Sequence, residues 1–313
     1  MRIVFMGTPD FSVPTLEALV ASEHEVVGVV TQPDKPKGRG KEIHMSPVKE
    51  CALQHNIPVY QPVRARDEAF VDEMRALNPD VMVVIAFGQI LPKSLLELPK
   101  YGCVNIHASL LPKYRGAAPI QWAVINGDEE TGITTMMMDV EMDTGDMLEK
   151  TVVKLDPEET GGSLFDRLSL LGGDLILSTL SKLEKGEITP VPQDHEKATY
   201  VKKISKSMGD IDWTMDAVSI ERLVRGLNPW PSAFTRWNGK MLKIWEAKVL
   251  PDPDVKLPCG SVISASDEGL KIQTGAGVLC VTSLQLEGKK RMDTAAFLRG
   301  YQVAAGSMME RSE

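Results

Sequence analysis

The chain has 313 residues, of which 43% are hydrophobic and 25% charged. That exceeds one ordinary domain and supplies apolar material for conventional cores, so two domains are expected. No apolar run approaches the ~20 residues of a membrane span, and the first residues pass straight into a strand-like segment without a leader pattern, so a cytoplasmic protein with no membrane partner is expected.

Net charge is −8, which taken whole argues against a nucleic-acid partner. The charge is unevenly placed. Residues 198–313 hold 16 Lys and Arg against 13 Asp and Glu, a balance of +3, whereas residues 1–197 hold 19 against 30, a balance of −11. Opposite signs in two halves are a weak mark of a polyanionic partner for the second. Cys51, Cys103, Cys259 and Cys280 stand singly, with no short Cys/His spacing, so reduced thiols and no metal are expected.

In chain order, the first half alternates short apolar runs with helical patterns. A strand over 2–6 precedes a helix over 12–22, with Ser12 as its N-cap and Pro14 in its first turn. Strands follow at 25–31, 57–60, 81–86 and 102–107, with helices at 47–55 and 67–77 between them. Such alternation predicts a parallel sheet covered by helices. A further strand pair is predicted at 131–139 and 147–153. A helix over 162–185 carries apolar residues at 164, 165, 168, 171, 175, 176, 180 and 183, with Gly172 and Gly173 weakening its middle.

Polar, proline-bearing residues then read as an extended linker. Past a helix at 217–227, strands are predicted at 233–237, 241–249, 261–265, 269–273 and 278–286, the first two joined by the hairpin signal Asn238-Gly239. This spacing predicts a small five-stranded barrel of the oligonucleotide-binding type. The expected division is a Rossmann-like α/β domain over 1–188, a linker over 189–206 and the barrel over 207–313.

Ligands of open α/β sheets sit beyond the carboxyl ends of the strands. Gly7, Gly88 and His107 all lie at such ends. Gly7-Thr-Pro-Asp-Phe lacks the spacing of a dinucleotide site, and Pro9 removes an amide. Backbone groups around Phe87, Gly88, Gln89 and Ile90 can read a flat heterocycle, with apolar walls from Phe87, Ile90 and Leu91. Asn105 and His107 share a strand face at i and i+2, and Asp143 arrives on a second turn, Met-Asp-Thr-Gly-Asp. That trio can polarise a carbonyl and manage a proton, although a lone strand-end histidine is as readily structural. Lys35, Lys37, Arg39 and Lys41 sit with Gly38 and Gly40 in a loop that is either a solvated surface or an arm for phosphates.

Read together, Asn105-Ile-His107, Ser109-Leu-Leu-Pro112, Arg115-Gly-Ala-Ala-Pro-Ile120 and Asp143-Thr-Gly145 resemble the 10-formyltetrahydrofolate-dependent formyltransferase family. The likeness extends to Ile211-Asp-Trp213 and Asn228-Pro-Trp-Pro231, in a second domain that simpler members lack. The resemblance implies formyl transfer from 10-formyltetrahydrofolate to an amine, with no metal. It implies catalysis by Asn105, His107 and Asp143. It implies folate contacts from Phe87, Gly88, Gln89 and Ile90, from a wall of Ser109, Leu110, Leu111 and Pro112, and from Val140, Glu141 and Met142. The second domain implies methionyl initiator tRNA as acceptor, met by Lys35, Lys37, Arg39, Lys41, Lys203 and Lys206 of a monomer. Three rival readings are a formyltransferase for a small amine (a nucleotide sugar or glycinamide ribonucleotide), a formyltetrahydrofolate hydrolase, and a non-catalytic RNA-binding protein.

Overall fold

The computed structural model describes residues 1–37, 42–254 and 256–311. By proximity the chain groups into two units. The first comprises Met1–Pro119, Glu130–Lys154 and Phe165–Val201, and the second Ile120–Glu129, Leu155–Leu164 and Lys202–Glu313.

The first unit is built on a sheet of seven strands. In chain order these are β1 (Arg2–Gly7), β2 (Glu25–Val30), β5 (Val59–Tyr60), β6 (Val81–Ile85), β7 (Cys103–His107), β9 (Glu130–Met137) and β10 (Met147–Lys154). Between them lie the short hairpin of β3 (Lys35–Lys37) with β4 (Glu42–His44), and β8 (Arg115–Gly116). The spatial order is β10-β9-β7-β6-β1-β2-β5. The five strands from β7 to β5 are parallel, as predicted. The predicted strand pair adds to this sheet in the opposite sense, β9 lying antiparallel to both β7 and β10.

All five residues of β6 are buried, as expected of a strand covered on both faces. Edge strand β10 instead alternates between half-buried and exposed residues from Glu149 to Lys154. The register sets Gly7 opposite Ile85 and Val84 opposite Asn105, so the carboxyl ends of β1, β6 and β7 open on one rim.

Helices α1 (Val13–Val20), α2 (Pro47–Gln54), α3 (Glu68–Ala76), α4 (Lys93–Leu96) and α5 (Pro119–Asn126) lie between these strands, and α6 (Gly161–Lys185) follows β10. Ser12 does not cap α1. Its hydroxyl donates instead to the terminal carbonyl of β6, Ile85 O, at 2.8 Å. Nor do the paired glycines interrupt α6. A Cβ on Gly172 would lie 2.5 Å from Thr15 Oγ1, and one on Gly173 2.7 Å from Ala18 Cβ. The missing side chains let α6 approach α1 closely, and packing overrides the lower helix propensity of glycine.

Glu149 of β10 ties the far end of α6 to the sheet. It accepts hydrogen bonds from Lys182 Nζ, Thr179 Oγ1 (2.8 Å) and Ser178 Oγ (3.1 Å). Burial alone would raise the Glu149 pKa, but these three donors together hold it below its ordinary value.

Residues 189–206 are expected to be linker. Over much of that stretch they are hydrogen-bonded into the first unit. Val191 and Met147 exchange backbone bonds at 2.8 Å, and β11 (Tyr200–Val201) runs parallel to β8.

The second unit carries α7 (Ala217–Gly226), capped by Asp216, whose carboxylate accepts from Ser219 N at 2.9 Å. Strands β12 (Ala233–Trp237), β13 (Lys240–Leu250), β14 (Val262–Ser266), β15 (Gly269–Gln273), β16 (Val278–Leu286) and β17 (Met292–Asp293) form an antiparallel sheet ordered β12-β13-β16-β15-β14, with β17 on β16 and α8 (Thr294–Leu298) following. Backbone groups near the C-terminus bond to both outer strands. Glu310 pairs with Arg236 of β12, while Ser307 O accepts from Val262 N of β14. The two edges are thereby joined, which closes the sheet as the predicted barrel. Trp237 packs edge-on against Phe297 and Tyr301 in its core.

A carboxylate whose folded pKa is depressed adds stability above its unfolded pKa and loses that contribution as pH falls through its folded pKa. Glu149→Gln is therefore expected to lower the melting temperature at pH 7, and the difference from wild type should shrink below about pH 4.3. Thermal melts across that range check it, and a gap independent of pH would contradict it.

Candidate active site

His107 ends β7 and is 7% exposed. Its Nε2 lies 2.8 Å from the carbonyl oxygen of Tyr114. A carbonyl only accepts, so Nε2 carries the proton and donates it. In the neutral ring Nδ1 is thereby left as the nitrogen without a proton. It faces Asp143 Oδ2 at 3.8 Å. That is longer than a hydrogen bond, and it leaves the two groups able to share a substrate atom or a water between them. The structure thus brings Asp143 and His107, predicted as partners, to the same rim without a direct hydrogen bond between them.

Asp143 lies in the left-handed region at φ +56°, which Asp tolerates better than most residues. Its Oδ2 accepts from Gly116 N at 2.7 Å. The turn folds tightly onto the end of β9, where a Cβ on Gly145 would stand 1.7 Å from Met137 O. Only glycine fits there, which accounts for the Thr-Gly after the aspartate.

Asn105 shares its strand face with His107, and among the described residues its side-chain amide makes no hydrogen bond. The loop beyond is clamped from β9 and β10. Thr134 Oγ1 donates to Ser109 O (2.7 Å) and accepts from Leu111 N (3.2 Å), and Lys150 Nζ donates to Leu111 O at 2.6 Å. Partial desolvation lowers the Lys150 pKa from its ordinary value. Ser109 and Leu111 are buried, while Leu110 and Pro112 are half-buried.

The loop after β6 departs from expectation in its side chains. Phe87 and Leu91, expected as walls of a ligand site, are 2% and 3% exposed and belong to the core. The Gln89 amide is taken up by Ala65 N and Pro62 O, and Phe87 O accepts from Thr8 Oγ1 and Gln32 Nε2. The backbone amides and carbonyls of Gly88, Gln89 and Ile90 make no hydrogen bond among the described residues, and the Ile90 side chain is 77% exposed. Val140, Glu141 and Met142 are exposed beside the Asp143 turn. Unpaired backbone groups beside exposed apolar side chains suit a flat, polar-edged heterocycle.

Lys35 is exposed on β3, and Lys203 and Lys206 are exposed in the second unit. Arg39, Lys41 and the side chain of Lys37 lie outside the described residues. Among the described residues, Glu17, Cys51 and His55 form one group of three potential metal ligands. They satisfy one another, Cys51 Sγ donating to Glu17 Oε1 at 3.2 Å with His55 Nε2 2.9 Å from Oε2. Burial, followed by Glu17, pushes the Cys51 thiol up to about 12.

Residues 1–180 match the family model described as formyl transferase, and residues 203–302 match that of the formyl transferase C-terminal domain. The chain belongs to the formyl transferase family. This formyl transferase is 58% identical to the methionyl-tRNA formyltransferase of Agathobacter rectalis, covering 98% of this chain and 99% of that protein. It is 57% identical to that of Lachnospira eligens, covering 99% of each. Among solved structures it is similar in fold to the N-formyltransferase from Helicobacter canadensis in complex with folinic acid and dTDP-3-aminofucose (TM-score 0.67, 16% identity, covering 90% of this chain and 99% of that one).

Sequence reasoning missed what holds the turn of this formyl transferase in place. Gln193 bonds to the Asp143 turn and is itself held by Arg115, and Thr199 holds the Tyr114 turn. Gln193 and Thr199 sit among polar residues and prolines, where no periodicity marks them. Thr134→Val leaves Ser109 O and Leu111 N without their partner, and is expected to cost ~1–3 kcal/mol. Urea denaturation measures this; an unchanged midpoint would show that the clamp is dispensable.

Proposed function

We propose that this formyl transferase moves the formyl group of 10-formyltetrahydrofolate onto the α-amino group of methionine carried by initiator tRNA, as a monomer in the cytoplasm. The acceptor is supported by likeness to methionyl-tRNA formyltransferases over nearly the whole of both chains, second unit included. The chemistry rests on one observation, the imidazole of His107 fixed through Nε2 with its Nδ1 turned toward Asp143.

The folate supplies an activated formyl carbon, and the amine is itself the nucleophile. Asn105, whose amide makes no hydrogen bond among the described residues, donates a hydrogen bond to the oxygen on which negative charge develops. His107 donates to the same oxygen from Nδ1 when protonated there. Asp143 stabilises the resulting imidazolium and takes part in passing a proton from the amine to the departing nitrogen. The backbone of Gly88, Gln89 and Ile90, with Val140, Glu141 and Met142, borders the pterin, and Ser109 to Pro112 shape the wall beside the formyl group. Lys35, Lys37, Arg39, Lys41, Lys203 and Lys206 meet tRNA phosphates, which position the acceptor without choosing its sequence.

Formylation assays with charged initiator tRNA test this. Asn105→Ala is expected to lose ~2.7–4 kcal/mol of transition-state stabilisation, ~100- to 1000-fold in kcat. His107→Ala and Asp143→Asn are expected to lose ~10²–10⁴-fold in kcat with little change in the KM for folate. A loss confined to KM would remove these residues from the chemistry. Removing Lys203 or Lys206 should lower the slope of log Kd against log salt by about 1 each. An unchanged slope would move the tRNA surface elsewhere.

A further inference from the structure

We propose that Gln193 is a positioning residue for the Asp143–His107 pair, and that the segment entering the second unit is a working part of the active site. This rests on the reading of that pair as catalytic.

Residues around Gln193 are exposed, whereas Gln193 itself is 4% exposed. Its amide oxygen accepts from Arg115 Nε at 3.1 Å and Nη2 at 2.9 Å. Its amide nitrogen donates to Asp143 O and to Gly145 O, both at 2.8 Å. Every hydrogen-bonding position of the amide is in use. Its orientation is also fixed, because a guanidinium only donates and can face only the oxygen. The N–H groups must then point at the Asp143 turn.

Arg115 is a rigid anchor for this arrangement. It is 1% exposed, and it also donates from Nη1 to Tyr200 OH (2.9 Å) and from Nη2 to His195 Nδ1 (3.3 Å). The next residue, Gly116, holds the Asp143 carboxylate. Asp143 is thus gripped at both its carbonyl and its carboxylate, which keeps a left-handed residue in place. Along the same segment, Thr199 Oγ1 accepts from Tyr114 N at 2.8 Å and Thr199 O accepts from Arg115 N at 2.8 Å. Tyr114 in turn presents the carbonyl that takes His107 Nε2. One segment therefore sets both neighbours of the imidazole.

Without the Gln193 donors, the turn can relax and carry the carboxylate away from Nδ1. A misplacement of about 1 Å can cost ~100-fold in rate. The test compares single-turnover formylation by wild type, Gln193→Ala, Gln193→Glu, Asp143→Asn and the Gln193→Ala/Asp143→Asn double variant, each checked by thermal melting. Gln193→Ala is expected to lose ~100-fold in rate with little change in substrate affinity. Gln193→Glu keeps the acceptor for Arg115 but lacks the N–H donors, so it should share the loss. The double variant should be no slower than Asp143→Asn alone, because Gln193 acts only through that turn. A purely structural role would instead give multiplying losses. Multiplying losses, or wild-type rates in a folded Gln193→Ala or Gln193→Glu, overturn the inference and leave the catalytic pair standing. Wild-type turnover by Asp143→Asn overturns the catalytic reading itself, and the inference with it.

Discussion

The hydrogen bond from His107 Nε2 to the carbonyl of Tyr114 is the constraint on which the active site depends. It commits Nε2 as a donor to backbone and, in the proposed mechanism, leaves Nδ1 for the chemistry. With Nε2 committed to a backbone group that cannot donate, Nδ1 alone is left to face Asp143 across 3.8 Å. A freely rotating imidazole could present either nitrogen and would spend much of its time misdirected. Here the direction is set by backbone, the least mobile material available.

The surrounding fold serves that direction. The parallel strands bring three chain ends to one rim, and the antiparallel β9–β10 pair delivers Asp143 on its connecting turn. Ala86, Tyr114, Ala118 and Asp143, none of them glycine, have positive φ. All four lie in the rim loops, where strained backbone is tolerated only if neighbours hold it. Thr199 is such a neighbour for Tyr114, and Gln193 for Asp143.

Much of this was legible in the residues. Uniformly apolar β6 announced a buried parallel strand, and the i, i+2 spacing of Asn105 and His107 put them on one face. The turn at Asp143 carried its own glycine, required by the carbonyl of Met137. Other features depend on contacts far apart in the chain. Gly172 and Gly173 read as a weakness until Thr15 and Ala18 occupy the space they leave. Ser12 read as a cap until the carbonyl of Ile85 competed for its hydroxyl. Phe87 read as a ligand wall because it stands at the carboxyl end of a strand on the rim, yet its side chain fills the core. Gln193 had no local signature at all, since a buried amide in a polar segment is recognised only by what closes around it.

The most direct measurement is a ¹⁵N NMR titration of the His107 side chain in the intact protein. Nε2 is expected to stay protonated throughout, with Nδ1 alone gaining and losing its proton. A ring that carries its single proton on Nδ1 when neutral, or that exchanges freely between tautomers, would contradict the account.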